Sequence, residues 1–150
     1  MRTVIQRVSR AQVSVEGQLV GSIGRGALVL VGVEQGDGEA DALATARKIA
    51  GLRMFPGAKP MDRSLVDVGG QALVISQFTL AGDLRKGRRP SFNRAERPEL
   101  AEPLYLAVAA ELRALGVASE TGRFGAHMDV ELVNDGPVTL LLATEAGGIV

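Results

Sequence analysis

Three hydrogen-bonding residues stand together in the stretch 73–80, Leu-Val-Ile-Ser-Gln-Phe-Thr-Leu: Ser76, Gln77 and Thr79. Thr79 is the obvious nucleophile, but a threonine hydroxyl needs an adjacent base to activate it. The chain has one histidine, His127, which follows a Gly-Ala pair and has no Asp partner by motif. A lone histidine is more often a surface or satisfied residue. No cysteine and no Gly-x-Ser-x-Gly elbow is present. The sequence therefore supplies no side-chain triad.

The elements that must position these groups can be read around them. Ala72-Leu73-Val74-Ile75 is a continuous apolar run, which suits a strand buried on both faces. Continued as a strand to Leu80, it points Gln77 and Thr79 to one side and Ser76 and Phe78 to the other. Polar groups at the edge of a core cost free energy unless something pairs with them. The alternative is ordinary strand serine and threonine bonded to backbone.

Upstream, residues 3–8, 11–15, 18–23 and 27–33 read as strands, with turns at Glu16-Gly17 and Gly24-Arg25-Gly26. Asp37 falls in the N-cap region of a helix marked by Leu43, Ala46, Ile49 and Ala50 and closed at Gly51. Residues 52–55 form a short strand stopped by Pro56-Gly57. Gly69-Gly70 between 65–68 and 71–80 is a two-residue hairpin signal. After an irregular stretch, 82–97, a second helix carries Leu100, Leu104, Val108, Leu112 and Leu115 on one face, with Pro98 near its start and Gly116 past its end. Residues 128–133 and 138–142 make a last strand pair around Asn134-Asp135-Gly136-Pro137, and 145–150 is a frayed tail. Gly21-x-x-Gly24-x-Gly26 joins two strands, whereas a dinucleotide site needs a strand followed by a helix. The pattern predicts one α/β domain over 1–150: a mainly antiparallel, curved or barrel-like sheet with two helices packed on it.

Composition narrows the functions. At 150 residues, 46% hydrophobic and 23% charged, the chain fits a single globular domain with a real core. Seventeen basic residues balance seventeen acidic ones, so a nucleic-acid partner would have to be held by a local patch. The absence of cysteine excludes disulfides, thiolate-bound metal and a thiol nucleophile, and fits a cytoplasmic location. With one histidine and no spaced Asp cluster, neither a metal nor another cofactor is expected. The longest apolar run, residues 27–31, is too short to span a bilayer, and residues 1–5 do not read as a signal peptide. Four Phe, one Tyr and no Trp argue against a surface of stacked aromatic platforms.

Ser76-Gln77-Phe78-Thr79-Leu80 and Asn134-Asp135-Gly136-Pro137-Val138-Thr139 together resemble the two signature motifs of the bacterial-type D-aminoacyl-tRNA deacylases. The resemblance extends over the whole chain, through Ile5-Gln6-Arg7-Val8, the segment 87–92 and Thr121-Gly122-Arg123-Phe124. It implies hydrolysis of the ester between a D-amino acid and the terminal ribose of tRNA, with glycine as a secondary substrate. The neighbouring ribose hydroxyl would assist, and backbone amides near Phe78 and Thr79 would lie by the reacting carbonyl. Ser76, Gln77 and Phe78 would surround the terminal adenosine. The resemblance further implies a homodimer in which a cis Gly136-Pro137 pair enters the partner's active site and crowds out L-amino acids.

Other roles stay open. Arg7 either anchors the active-site wall or makes a structural ion pair, and Met128 either lines the pocket or packs. Phe124 fits the core better than a ligand role. The run 85–94 holds Arg85, Lys86, Arg88, Arg89 and Arg94 and no acid. It is a solvated loop or, beside such a site, a set of phosphate contacts. Two competing functions are a catalytically silent RNA-binding module on the same fold and a hydrolase of small D-amino-acid esters or amides.

Overall fold

The computed structural model describes residues 1–150. Seven strands form one sheet: β1 Arg2–Val15, β2 Gln18–Ile23, β3 Gly26–Gly32, β4 Gln71–Ser76, β5 Ser119–Thr121, β6 Asp129–Glu145 and β7 Gly148–Ile149. Their order is β5-β4-β3-β1-β6-β7, with β2 paired to β1. Antiparallel pairing prevails, as expected, but β3–β4 and β4–β5 are parallel. Parallel neighbours need a crossover. The first crossover carries α1 (Glu39–Gly51) and α2 (Leu65–Val68), and the second carries α3 (Pro98–Ala114).

Two runs read as strand pairs are single long strands. Residues 3–8 and 11–15 are one strand, β1. Residues 128–133 and 138–142 lie along one strand, β6, which pairs with β1 over nearly its whole length. The intervening Asn-Asp-Gly-Pro is a bulge, not a hairpin turn. Gln6 faces Thr139 and Val8 faces Asn134, so residues 135–138 stand opposite Arg7 alone.

Other local expectations are also corrected. Residues 65–68 are a helical turn: Ser64 accepts from the Asp67 N–H and Asp67 accepts back from the Ser64 N–H, a reciprocal cap that outcompetes a hairpin. Gly69 closes that turn at φ +60°. Residues 52–55 form only a single bridge, Phe55 to Arg63. The α1 N-cap is Gly38, because the Asp37 carboxylate is engaged by the Met1 ammonium at 2.6 Å and the Glu34 N–H at 2.7 Å. The tail is paired rather than frayed: β7 lies on β6, and the Gly147 N–H bonds Asp41 at 2.9 Å.

Alternation along the strands separates two cores. One face, with Ile5, Val29, Val31 and Val74, packs against α1 and α3 in a cluster of 22 buried residues. On α3 the buried stripe is Ala101, Tyr105, Val108, Ala109 and Leu112, so Leu100 and Leu115 of the expected stripe are exposed. The other face, with Val8, Leu28, Leu73 and Ile75, forms a buried cluster of only 7, against which Val20, Leu30, Met128, Val130 and Leu132 pack. No helix is long and apolar enough to cross a membrane.

Candidate active site

The buried strand β4 stops at Ser76, four residues short of the expected end at Leu80. Ser76 still pairs with Val31, and the Gln77 N–H bonds the Val31 carbonyl at 2.7 Å. The chain then folds into a 3-10 turn, Phe78–Ala81, so the strand alternation of Gln77, Phe78 and Thr79 is lost. Gly32 permits this. A Cβ there would lie 2.8 Å from Leu80 Cβ and 2.9 Å from the Gln77 carbonyl, so only glycine lets the turn rest on β3. The Phe78 and Thr79 N–H groups open the turn and have no acceptor within it. The Thr79 hydroxyl accepts from the Gln77 side-chain amide at 2.5 Å and has no base as a partner.

Beside this turn is a cavity of about 620 Å³. Ile75, Ser76, Gln77 and Phe78 form one side, and Phe124, Gly125, Ala126, His127 and Met128 another. Phe92, Ala95, Glu96, Pro98 and Ala101 complete the wall. Phe78 is 55% exposed and meets Phe92 edge-to-face, with ring centroids 5.1 Å apart. Phe124, placed in the core from sequence, has a double role: it stacks on buried Tyr105 at 5.7 Å and presents to the cavity. Burial raises the Tyr105 hydroxyl pKa, keeping it neutral behind the wall. Met128 does line the cavity, held low because Gly122 leaves room; a Cβ at 122 would sit 2.6 Å from its sulfur. Phe92 was noted only as the end of the family-like segment 87–92, and Glu96 and Ala101 drew no attention in the sequence, since they come from an irregular segment and the first turns of a helix.

The second motif lies elsewhere on the same chain. The Gly136–Pro137 bond is cis, and Gly136 has φ +147°. Asn134 closes the base of the bulge, donating to the Arg7 and Val138 carbonyls at 2.9 and 3.0 Å. Arg7, 9% exposed, holds it from beneath: its guanidinium donates to the Asp135 carbonyl at 2.9 Å and the Met54 carbonyl at 2.6 Å, and pairs with the Asp135 carboxylate at 3.2 Å. Arg7 thus touches the bulge and not the cavity. Gly136 and Pro137 are themselves exposed. Arg7 faces Ala27, which faces Ala72, four residues back from Ser76 and three strands over from β6. At about 4.8 Å per strand and about 3.3 Å per residue, bulge and cavity are roughly 20 Å apart along the sheet. One chain does not bring its two motifs together.

The basic run divides. Asp83, just before it, takes Arg85 in a bidentate grip at 2.6–3.1 Å, and that contact holds the Asp83 carboxyl far below the usual carboxylate range. Arg94 pairs with Glu34. Lys86, Arg88 and Arg89 are exposed and form no ion pair. No group of His, Cys, Asp or Glu is placed to hold a metal ion.

Fold and cavity together are a curled α/β sheet with a pocket at the end of its buried parallel strand. A model of the D-Tyr-tRNA(Tyr) deacylase family matches residues 4–143. The chain belongs to that family. A D-aminoacyl-tRNA deacylase of Symbiobacterium thermophilum is 58% identical over 146 residues, 97% of each chain. Another, of Thermomicrobium roseum, is 62% identical over 143 residues, covering 95% of this chain and 93% of that one. Among solved structures, a c-Myc DNA Unwinding Element Binding Protein superposes with a TM-score of 0.91 at 39% identity, covering 97% of this chain and all of that one. A probable eukaryotic D-amino acid tRNA deacylase shares the fold, with a TM-score of 0.78 at 17% identity over 93% of this chain and 97% of that one.

Proposed function

We propose that this enzyme hydrolyses the ester linking a D-amino acid to the terminal ribose of tRNA, and glycine mischarged on tRNA as a secondary substrate. The carrying observation is the aromatic-walled cavity of about 620 Å³, with Phe78, the first residue of the 3-10 turn, in its wall and Thr79 next in the chain. Its volume suits a nucleoside with an amino acid attached. The bond is already activated, and the neighbouring ribose hydroxyl supplies the general base that the chain lacks. The enzyme's part is to orient the ester and to stabilise its developing oxyanion with the Phe78 and Thr79 amides. Ser76, Gln77 and Phe78 hold the adenosine, and Met128 closes the pocket. Lys86, Arg88 and Arg89 meet phosphates, with Arg85 set among them by Asp83. The reaction needs no cofactor and belongs in the cytoplasm, where tRNA is charged.

Chirality is set in this reading by the partner subunit's Gly-Pro bulge, whose backbone fills the space that an L side chain would need. The separation of the two motifs within one chain, roughly 20 Å along the sheet, supports a two-fold dimer that unites them. So does an exposed leucine on the sheet face that carries the smaller core. On that face Leu141 is 83% exposed in mid-strand, and its neighbour across the ladder is Val4, which in turn faces Leu30. Arg7 positions the bulge and makes no contact with substrate in its own chain.

Two measurements test this. Catalytic amounts of protein should release D-Tyr rapidly from D-Tyr-tRNA and leave matched L-Tyr-tRNA intact. Binding of tRNA without release from either form would favour the silent RNA-binding module instead. Leu141→Asp should shift the protein from dimer to monomer in sedimentation, leave the far-UV circular dichroism intact, and abolish most of the D-Tyr release. A monomeric variant with full activity would refute the shared site.

A further inference from the structure

The part of the cavity wall that the sheet does not build is the segment leading into α3, and it is fastened to the residues that follow β3. Beyond Gly32 the chain extends β3 by three residues, and these hold the segment edge-on. The Glu96 N–H bonds the Val33 carbonyl at 3.0 Å and the Gln35 N–H bonds the Arg94 carbonyl at 2.9 Å. The Gln35 side-chain amide reaches the Asn93 carbonyl at 2.9 Å. Between them Glu34, its side chain only 12% exposed, spends both carboxylate oxygens: one on Arg94 at 3.1 Å, the other on Arg2 of β1 at 3.1 Å. Arg94 is two residues from Phe92, the ring set against Phe78 at the cavity. It is also the only cation of the basic run tied to the sheet by a side chain.

We propose that Glu34 is a positioning residue for substrate binding at this site: through Arg94 it fixes the segment 92–96, and with it the gap between Phe92 and Phe78. The proposal rests on the deacylase reading above. A carboxylate shared by two arginines has its rotamer set from both sides, so the segment is referenced to β1 and β3 rather than floating on its own turns. Such a role acts on binding and not on the chemical step. The competing role is distinct. If Arg94 were itself a phosphate contact, Glu34 would merely be holding part of its charge back.

The two roles differ in sign. Glu34→Gln, Arg94→Gln and Arg2→Gln should be compared for KM and kcat on D-Tyr-tRNA, for affinity towards uncharged tRNA, and for thermal unfolding. Positioning through Arg94 requires that the Glu34 and Arg94 variants both raise KM, roughly threefold or more for loss of a partly exposed ion pair. Their kcat should stay within about twofold, and the Arg2 variant, which removes the tie to β1 but leaves the Glu34–Arg94 pair, should raise KM by less than either. A lower KM in Glu34→Gln with a higher one in Arg94→Gln would overturn the proposal in favour of a direct phosphate contact. Unchanged KM in both, or losses that only track thermal unfolding, would overturn it too. Wild type that releases no amino acid would sink the deacylase reading instead. Affinity for uncharged tRNA, measured on the same variants, would still decide the positioning role.

Discussion

Gly136→Ala is expected to lower release of D-Tyr from D-Tyr-tRNA by on the order of a hundredfold, the penalty typical of displacing a site wall by about 1 Å. The effect follows from crowding at one atom. Gly136 sits at φ +147°, which L side chains rarely adopt. An added Cβ would lie 2.6 Å from the Val138 N, 2.8 Å from Val138 Cγ2 and 3.4 Å from the Arg7 guanidinium. The first contact is with backbone and cannot be relieved by a rotamer change. Val138 is buried, so it has little room to withdraw. The bulge must therefore move outward, on its exposed side. Stability should fall by about 1–3 kcal/mol, as for other strained or overpacked sites. Because the domain should remain folded at room temperature, circular dichroism separates loss of the wall from loss of the fold. The companion readout is chirality: residual activity should distinguish D- from L-Tyr-tRNA less sharply than wild type does. Full activity with unchanged selectivity would remove Gly136 from the account.

Why the fold was largely legible and the site only partly so comes down to the range of the forces involved. Hydrophobic periodicity is local, and it correctly marked β3, α1, α3 and the buried half of β4. What periodicity could not register was contact with a distant residue. Gln77 to Leu80 look like strand continuation until Gly32, more than forty positions earlier, is seen to accept a tight turn. The Asp135-Gly136 pair reads as a hairpin turn in isolation. It is a bulge because β1 runs unbroken alongside and Arg7 grips it from below. Residues 65–68 were apolar enough for a strand, but the Ser64–Asp67 cap is a short-range polar signal that outweighed them. In the cavity, Ser76, Gln77, Phe78 and Met128 were found from sequence because they carry or adjoin motifs. Glu96 and Ala101 were not, and Phe92 was given no role beyond its place in the segment 87–92, since their wall is assembled by edge bonds from Val33 and Gln35. The basic run read as free of acid, yet Asp83 lies just outside it and claims Arg85.

Arg7→Met should destabilise the protein more than any single surface change, because one buried cation serves three acceptors from two distant segments. Its guanidinium satisfies the Met54 carbonyl at 2.6 Å and the Asp135 carbonyl at 2.9 Å, and it balances the Asp135 carboxylate. Methionine replaces much of the volume, so the loss is electrostatic rather than a cavity. A charge-assisted hydrogen bond contributes about 1.5–3 kcal/mol. The Asp135 carboxylate is 48% exposed and can recruit water, so its share is discounted. A net loss of about 2–4 kcal/mol follows, read as a lower urea midpoint at unchanged slope. Activity should fall further than the folded fraction does, since the bulge loses its lower support while Asn134 still closes its base. Arg7→Lys separates the two effects: an ammonium keeps the charge but lacks the fork that reaches Met54 and Asp135 together. It should recover part of the stability and little of the selectivity. If Arg7→Met left the urea midpoint within about 0.5 kcal/mol of wild type, the guanidinium would not be holding the bulge to the Met54 segment, and the case for a rigid, preset chiral wall would lose its support.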